Sequence, residues 1–189
     1  MKRIVLLFSL MAVMSVAVAG VAWALVQNGT PGPDVINGTP QADRQSGLAG
    51  NDVLNGRGGA DRQFGGPGID ICRGHDGNDV QRCGPARDEI LGHVGNDTQF
   101  GSFGNDDMFG GTGNDNLFGG DSGDNMVLGG GSDNASAGDG DDFVNAVDGI
   151  VQNDTVDCGP GDDTVRRDFI FTLPPRSDQV SNCEHIVNN

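Results

Sequence analysis

An aspartate recurs every nine residues through most of this 189-residue chain, over thirteen consecutive positions. A fixed short period indicates a repeat architecture, in which one small unit stacks on copies of itself. A carboxylate at one place in every unit becomes a line of carboxylates that repel one another unless cations lie among them. The spacing therefore predicts a cation ligand. The thirteen positions are Asp34, Asp43, Asp52, Asp61, Asp70, Asp79, Asp88, Asp97, Asp106, Asp115, Asp124, Asp133 and Asp142, and Asp154 and Asp163 resume the spacing after a shift of three residues.

Glycine follows the same period. With the aspartate at position 6 of a nine-residue unit, positions 1 and 4 are each glycine in ten of the thirteen units, as in the segment GLAGND at 47–52. We expect both glycines to adopt positive φ in a tight turn around a ligand. Positions 7–9 suffice for a three-residue strand, whose middle side chain at position 8 faces the interior.

The consensus G-x-x-G-x-D-x-U-x, with U usually apolar, resembles the RTX, or haemolysin-type, calcium-binding nonapeptide repeat over about residues 29–166. The resemblance implies an all-β fold, a right-handed parallel β-roll of stacked 18-residue coils, in which each coil is two nonapeptides. It implies several calcium ions, each lying between one turn and the turn eighteen residues further on.

The ligands that this resemblance implies are the aspartates at position 6 and the glycines at position 4. They are Asp34, Asp52, Asp61, Asp70, Asp79, Asp97, Asp106, Asp115, Asp124, Asp133, Asp142, Gly50, Gly59, Gly68, Gly77, Gly95, Gly104 and Gly113, with Asp43, Asp88 and Asp163 in less regular turns. Arg87 stands beside Asp88, and Asp163 is out of phase. Calcium prefers carboxylate and carbonyl oxygens, which such turns provide. The alternative is a metal-free solenoid, because Gly, Asn and Asp also favour turns without metal.

Position 8 alternates in character, so the true period is eighteen. One set of units has Ile36, Leu54, Cys72, Ile90, Met108, Met126 and Val144 there, and the other has Gln45, Gln63, Gln81, Gln99, Leu117 and Ala135. We expect the glutamines to stack as an inward column, with amides bonded coil to coil. In the alternative, glutamine faces water, which would send Arg44 and Arg62 inward at greater free-energy cost.

Position 9 carries an aromatic row at Phe64, Phe100 and Phe118, with Phe109 on the other wall. We expect these rings outside the roll. Such a row is a docking surface, a set of rings that shield one another, or a strip that the C-terminal tail covers.

The chain ends differ from the repeats. Residues 1–24 are typical of a signal peptide, with Lys2 and Arg3, an apolar run and the motif AWA at 22–24; the alternative is an uncleaved anchor over 4–26. Residues 25–166 are predicted to form the roll, and 167–189 a non-repeat C-terminal cap. Both N-terminal readings place the chain outside the cytoplasm, where disulfides are stable. Four cysteines allow three pairings. We expect Cys72–Cys83 and Cys158–Cys183, because the members of each pair are close in the chain and the two pairs lie in different regions; the alternative is free thiols.

Composition restricts the function. The net charge of −16 argues against nucleic acid or anionic lipid as partners and favours cations. The sequence contains neither HExxH nor GxSxG, and its three histidines are scattered, so we expect no enzyme. The leading interpretation is a secreted calcium-binding roll with a structural, adhesive or ion-binding role. The alternatives are a module that binds a protein or cell surface through the Phe row, or an accessory domain remaining from a secreted hydrolase.

Overall fold

Eighteen β-strands alternate between two parallel sheets in the computed structural model, which describes residues 24–148, 152–168 and 178–188. Sheet A contains β1 (Val26–Asn28), β3 (Arg44–Ser46), β5 (Arg62–Phe64), β7 (Val80–Pro85), β9 (Thr98–Phe103), β11 (Asn116–Asp121), β13 (Asn134–Asp139), β15 (Thr155–Asp157) and β17 (Gln179–Ser181). Sheet B contains β2 (Val35–Asn37), β4 (Val53–Gly58), β6 (Ile71–Asp76), β8 (Glu89–Val94), β10 (Asp107–Thr112), β12 (Asn125–Gly130), β14 (Phe143–Ala146), β16 (Thr164–Arg167) and β18 (His185–Asn188).

Each strand pairs in parallel with the strand two places later, so the chain winds as a solenoid with one strand of each sheet per coil. The register places Gln63 opposite Gln81 and Cys72 opposite Ile90, a step of eighteen residues. This confirms the predicted all-β roll and its 18-residue coil.

Many strands are longer than the three residues expected. Nine of the described strands contain six residues, because pairing between coils continues beyond position 9 into the turn. In β4 and β6, for example, Arg57 pairs with His75 and Gly58 with Asp76, while Gly56 at position 1 forms the corner between the two paired stretches.

The interior is filled from position 8 of both sheets and, in some coils, from position 1. Leu54, Ile90, Met108 and Met126 are fully buried on sheet B, as the sequence predicted. Leu128, at position 1, adds a second buried side chain to its coil. The apolar core is one side chain deep from each sheet, which makes it thin for a chain of this length.

The inward glutamine column is confirmed. Gln45, Gln63, Gln81 and Gln99 are fully buried, and each amide Nε2 donates to the Oε1 of the glutamine one coil earlier, over 2.8–3.3 Å. Each Nε2 also crosses the interior to a backbone carbonyl of sheet B, as from Gln63 to Arg73 at 3.0 Å. The column thus joins neighbouring coils and also joins the two sheets.

The rings of the aromatic row contact one another and arginine. Phe100 and Phe118 stack with centroids 5.0 Å apart, and the Arg82 guanidinium lies 4.0 Å from the Phe100 centroid. The rings thus contact one another, as the shielding interpretation expects, while Phe118 at the end of the row is 42% exposed.

The described part of the C-terminal segment continues the two sheets. Strand β17 pairs with β15 and β18 pairs with β16 in the parallel register of the preceding coils. Residues 178–188 therefore form a further coil although their sequence lacks the nonapeptide pattern. Backbone pairing needs no particular side chain, which is why the sequence did not indicate this coil.

Both expected disulfides are present. Cys72–Cys83 joins the two sheets inside the roll, and Cys158–Cys183 joins the last repeat to the C-terminal coil. Among the residues that the structure describes, no helix is long and apolar enough to cross a membrane. The predicted signal peptide lies almost entirely outside those residues.

Candidate metal centre

The repeating aspartates form two columns, one along each edge where the chain passes between the sheets. In both columns one carboxylate oxygen, Oδ1, accepts a hydrogen bond from the backbone N–H of the residue one coil earlier, over 2.6–3.1 Å. That earlier residue is itself the column aspartate, except for Leu25 at the start. Each aspartate therefore reaches back and ties its coil to the preceding one.

The columns continue past the phase shift. Asp154 bonds to the N–H of Asp133 and Asp163 to that of Asp142, across 21 residues instead of 18. In the C-terminal coil, Oδ1 of Asp178 accepts the N–H of Asp154 at 3.1 Å, and Oε2 of Glu184 accepts the N–H of Asp163 at 3.0 Å. Sequence spacing could not identify these last two residues, because they stand outside the nonapeptide phase.

The second oxygen of most column carboxylates is buried and has no hydrogen-bond partner. It is the Oδ2 of Asp52, Asp61, Asp70, Asp79, Asp88, Asp97, Asp106, Asp115, Asp124, Asp133, Asp142, Asp154 and Asp163. Burying a carboxylate oxygen without a partner costs folding free energy, and a bound cation or proton at each of these atoms would remove that cost.

Burial changes the acidity of the columns. It raises the pKa of Asp61 and Asp97 to about 7 and that of Asp88 to about 8, although the backbone hydrogen bond to each carboxylate opposes the rise. The neighbouring aspartates of the same column raise these pKa values further. The columns therefore need protons or cations near neutral pH.

The glycine at position 1 has a different role from the one expected. None of the described position-1 glycines has positive φ, so the expectation for that position was wrong. Instead, a Cβ on Gly47 would overlap the carboxylate of Asp52 and would lie 2.7 Å from the carbonyl oxygen of Gly65 in the next coil. At Gly47 the backbone thus leaves no room for a Cβ between the carboxylate and a neighbouring carbonyl, whereas Cys83, Leu128 and Ala137 occupy position 1 in other coils.

Although Gly32 does not, position 4 adopts positive φ in most turns, as predicted. It does so in glycines such as Gly77, where a Cβ would overlap the carbonyl oxygen of Gly59 one coil earlier, and also in Ala86 and Ser122. Positive φ also occurs at position 2, which the sequence analysis missed, in Leu48 and His75 among others. Glycine at position 2 in six units, beginning with Gly66, was the available signal.

Asparagine at position 5 complements the aspartate. The side-chain oxygen of Asn78 accepts the N–H of Asn96, and that of Asn96 accepts the N–H of Asn114, at 2.8 and 2.7 Å. These bonds run toward the following coil, whereas the aspartate bonds run toward the preceding one. The Asn-Asp pair thus secures a turn on both sides.

The turns of Asp34, Asp43 and Asp88 fit a cation unequally. Oδ2 of Asp34 and of Asp43 already accepts the hydroxyl of Thr30 and of Thr39, each at 2.9 Å, so these two carboxylates need a cation least. Asp88 behaves like its regular neighbours, because Arg87 turns outward and pairs with Asp107 at 2.7 Å.

The donor set suits a hard cation. Among the described residues, no three His, Cys, Asp or Glu side chains converge on one point, so one carboxylate per turn would act together with backbone carbonyls. Calcium accepts such mixed oxygen ligands in flexible geometry. Zinc and copper favour nitrogen and sulfur. Among the described turns imidazole occurs only at His75 and His93, and these two rings stack on each other with centroids 4.9 Å apart.

Comparison with known proteins agrees with this geometry. The model of the RTX calcium-binding nonapeptide repeat matches four times, at residues 28–63, 37–72, 84–117 and 100–135, which together cover about half of the chain. The chain therefore belongs to the RTX calcium-binding nonapeptide repeat family. A search of curated proteins found no match.

Proposed function

We propose that this protein is a secreted calcium-binding β-roll that folds when calcium ions occupy its aspartate columns, and that its role is structural, adhesive or ion-binding. The family and the fold support a calcium-binding structural protein. The proposed ligands are the carboxylates of the two columns, together with the carbonyl oxygens of their glycine turns.

The observation that carries the proposal is the row of thirteen buried Oδ2 atoms without a partner. Calcium would supply the positive charge that these oxygens lack. Without it, the mutual repulsion and desolvation of the carboxylates oppose folding. The thin core and interior glutamines offer little apolar burial to offset this, so the binding free energy becomes folding free energy.

Two further observations support the finer parts of the proposal. The disulfides suit an oxidising compartment, in agreement with export through the predicted signal peptide. The column carboxylates lie in single file, each bonded to a backbone N–H, an arrangement that suits cation binding rather than acid–base catalysis.

The test is a calcium titration of the metal-free protein, followed by calorimetry and far-UV circular dichroism. We expect several ions to bind cooperatively, with conversion from disordered chain to β structure. The variant Asp97→Asn should bind fewer ions, whereas Asp76→Asn, which changes an exposed aspartate, should leave the stoichiometry unchanged. Full β content in excess chelator would refute the coupling of folding to calcium.

A further inference from the structure

The arginines of the roll are unevenly distributed. Six lie between residues 44 and 87, whereas residues 88–165 contain seventeen acidic residues and no arginine or lysine. Of the seven acids in 24–87, all except Asp76 belong to the aspartate columns. Once calcium neutralises the columns, as proposed above, the outer surface of the first coils is cationic and that of the later coils is acidic.

Three of these arginines share the outer face of sheet A. Arg44, Arg62 and Arg82 are exposed on strands β3, β5 and β7. None of them forms an ion pair; the pairs among the described residues are Arg87–Asp107 and His185–Asp162. The three guanidiniums therefore face solvent with their hydrogen-bond donors available. We call this surface, with Phe64 and Phe100, the arginine face.

Aromatic rings hold two of the guanidiniums in place. Arg44 lies 4.8 Å from the centroid of Phe64, and Arg82 lies 4.0 Å from that of Phe100, which stacks on Phe118. A guanidinium on a ring retains its edge donors and loses less side-chain entropy when it binds an anion.

A hollow of about 250 Å³ lies between two of the arginines. The hollow is lined by Arg44 and Arg62 and by three small residues. They are Ala24, the last residue of the predicted signal peptide, and Ala42 and Ala60 at position 5, where later coils have asparagine. Asp43 and Asp61 of the aspartate column also border it; calcium would neutralise Asp61, whereas Oδ2 of Asp43 already accepts the hydroxyl of Thr39. The hollow can then accept one anionic group between two guanidiniums.

We propose that the arginine face binds an acidic polysaccharide, with one sulfate or carboxylate group in the hollow between Arg44 and Arg62. Charge complementarity selects a polyanion. A nucleic-acid duplex or a membrane would extend onto the acidic coils and be repelled there. Single-stranded nucleic acid relies on base stacking, but Phe64, Phe100 and Phe118 already stack on arginine or on one another. A flexible charged sugar chain meets neither obstacle.

The test measures binding of the calcium-loaded protein to a sulfated oligosaccharide, a heparin hexasaccharide, by calorimetry. The variant Arg44→Gln/Arg62→Gln/Arg82→Gln should weaken binding by about tenfold or more. It should also reduce the salt dependence of binding, because that dependence reflects the counterions released when arginines neutralise a polyanion. The matched control is Arg57→Gln/Arg73→Gln/Arg87→Gln, which removes the same charge from strands β4 and β6 and the turn before β8. It should bind nearly as well as the original chain.

Several outcomes would overturn the proposal. They are equal losses in the two triple variants, absence of heparin binding by a fully folded protein, and equally tight binding of polyglutamate or of a single-stranded oligonucleotide. Far-UV circular dichroism with and without calcium distinguishes the two proposals. If the calcium function fails, the spectrum of the original chain does not respond to calcium; if only the polysaccharide proposal fails, the chain folds with calcium but does not bind heparin as expected.

Discussion

The first and second halves of the roll share their turns but differ in their interiors. Through Gln99, sheet A faces inward with amides that bond coil to coil and across to sheet B. From Leu117 onward, the same position is aliphatic, and Leu128 and Ala137 add a second buried residue at position 1. One backbone solenoid is thus held by two kinds of core, which shows that different interior chemistry can support the same coil.

The boundary between the two cores has an unsatisfied atom. Oε1 of Gln99 is buried without a partner, because the next coil offers Leu117 instead of a fifth amide donor. The hydrogen-bonded column thus ends at Gln99, whose Oε1 accepts no hydrogen bond. We expect three experiments to separate what the halves share from what distinguishes them.

Acidification should produce the largest effect, and in both halves alike. In the metal-free roll the pKa of Asp61, Asp97 and Asp154 is about 7 and that of Asp88 about 8, against 3.8 for an ordinary aspartate. The folded state therefore binds more protons than the unfolded chain, so stability is lost as pH rises through the folded values and is fully present below 3.8.

The measurement is hydrogen exchange with far-UV circular dichroism of the calcium-free protein from pH 8 to pH 4. We expect β structure to return in both halves as pH falls. Unfolding on acidification would contradict the assignment of raised pKa values to the columns. Recovery in one half alone would show that the turns of the two halves are not equivalent.

Leu128→Ala should weaken the second half. Leu128 is fully buried in the aliphatic cluster, and such truncations destabilise by about 2–5 kcal/mol. Denaturant unfolding of the calcium-loaded protein measures the loss, and hydrogen exchange locates it. Because solenoid coils contact mainly their neighbours, protection of coils before Gln99 should change least; a uniform loss would show that the whole roll unfolds as one unit.

Gln81→Leu tests the first half and has a natural control in Gln99→Leu. Removing Gln81 leaves the buried Oε1 of Gln63 without a donor, whereas removing Gln99 only moves the open acceptor from Gln99 to Gln81. An additional unsatisfied buried acceptor costs about 1–3 kcal/mol. Gln81→Leu should therefore be the less stable variant by that amount in denaturant unfolding. Equal stabilities would mean that the column contributes only volume.

Much of this molecule could be predicted from its sequence, because the repeat states each structural requirement many times. The 18-residue coil, the inward column at Gln45 to Gln99, and both disulfides follow from residue type and spacing. The identity of the calcium-ligating atoms remains a prediction that the structure supports through the open Oδ2 oxygens.

The features that could not be predicted depend on contacts between coils. Thr39 satisfies Asp43, a local hydroxyl contact that no period reveals. Asp178 and Glu184 join the columns through backbone pairing of a segment with no repeat signal. Positive φ at position 2 was missed because Leu48 and His75 adopt it without being glycine.

The direction of the aspartate bonds has a consequence for the order in which the chain is made. Each column carboxylate lies one coil nearer the C-terminus than the N–H that it accepts. The backbone N–H at each column position therefore lacks its carboxylate acceptor until the following coil has been synthesised. A shortened chain would end with two such N–H groups without that acceptor. Asp178 and Glu184 close that series for the last repeat. The carboxylate bonds therefore give the roll a direction, in which each coil depends on the coil that follows it in the sequence.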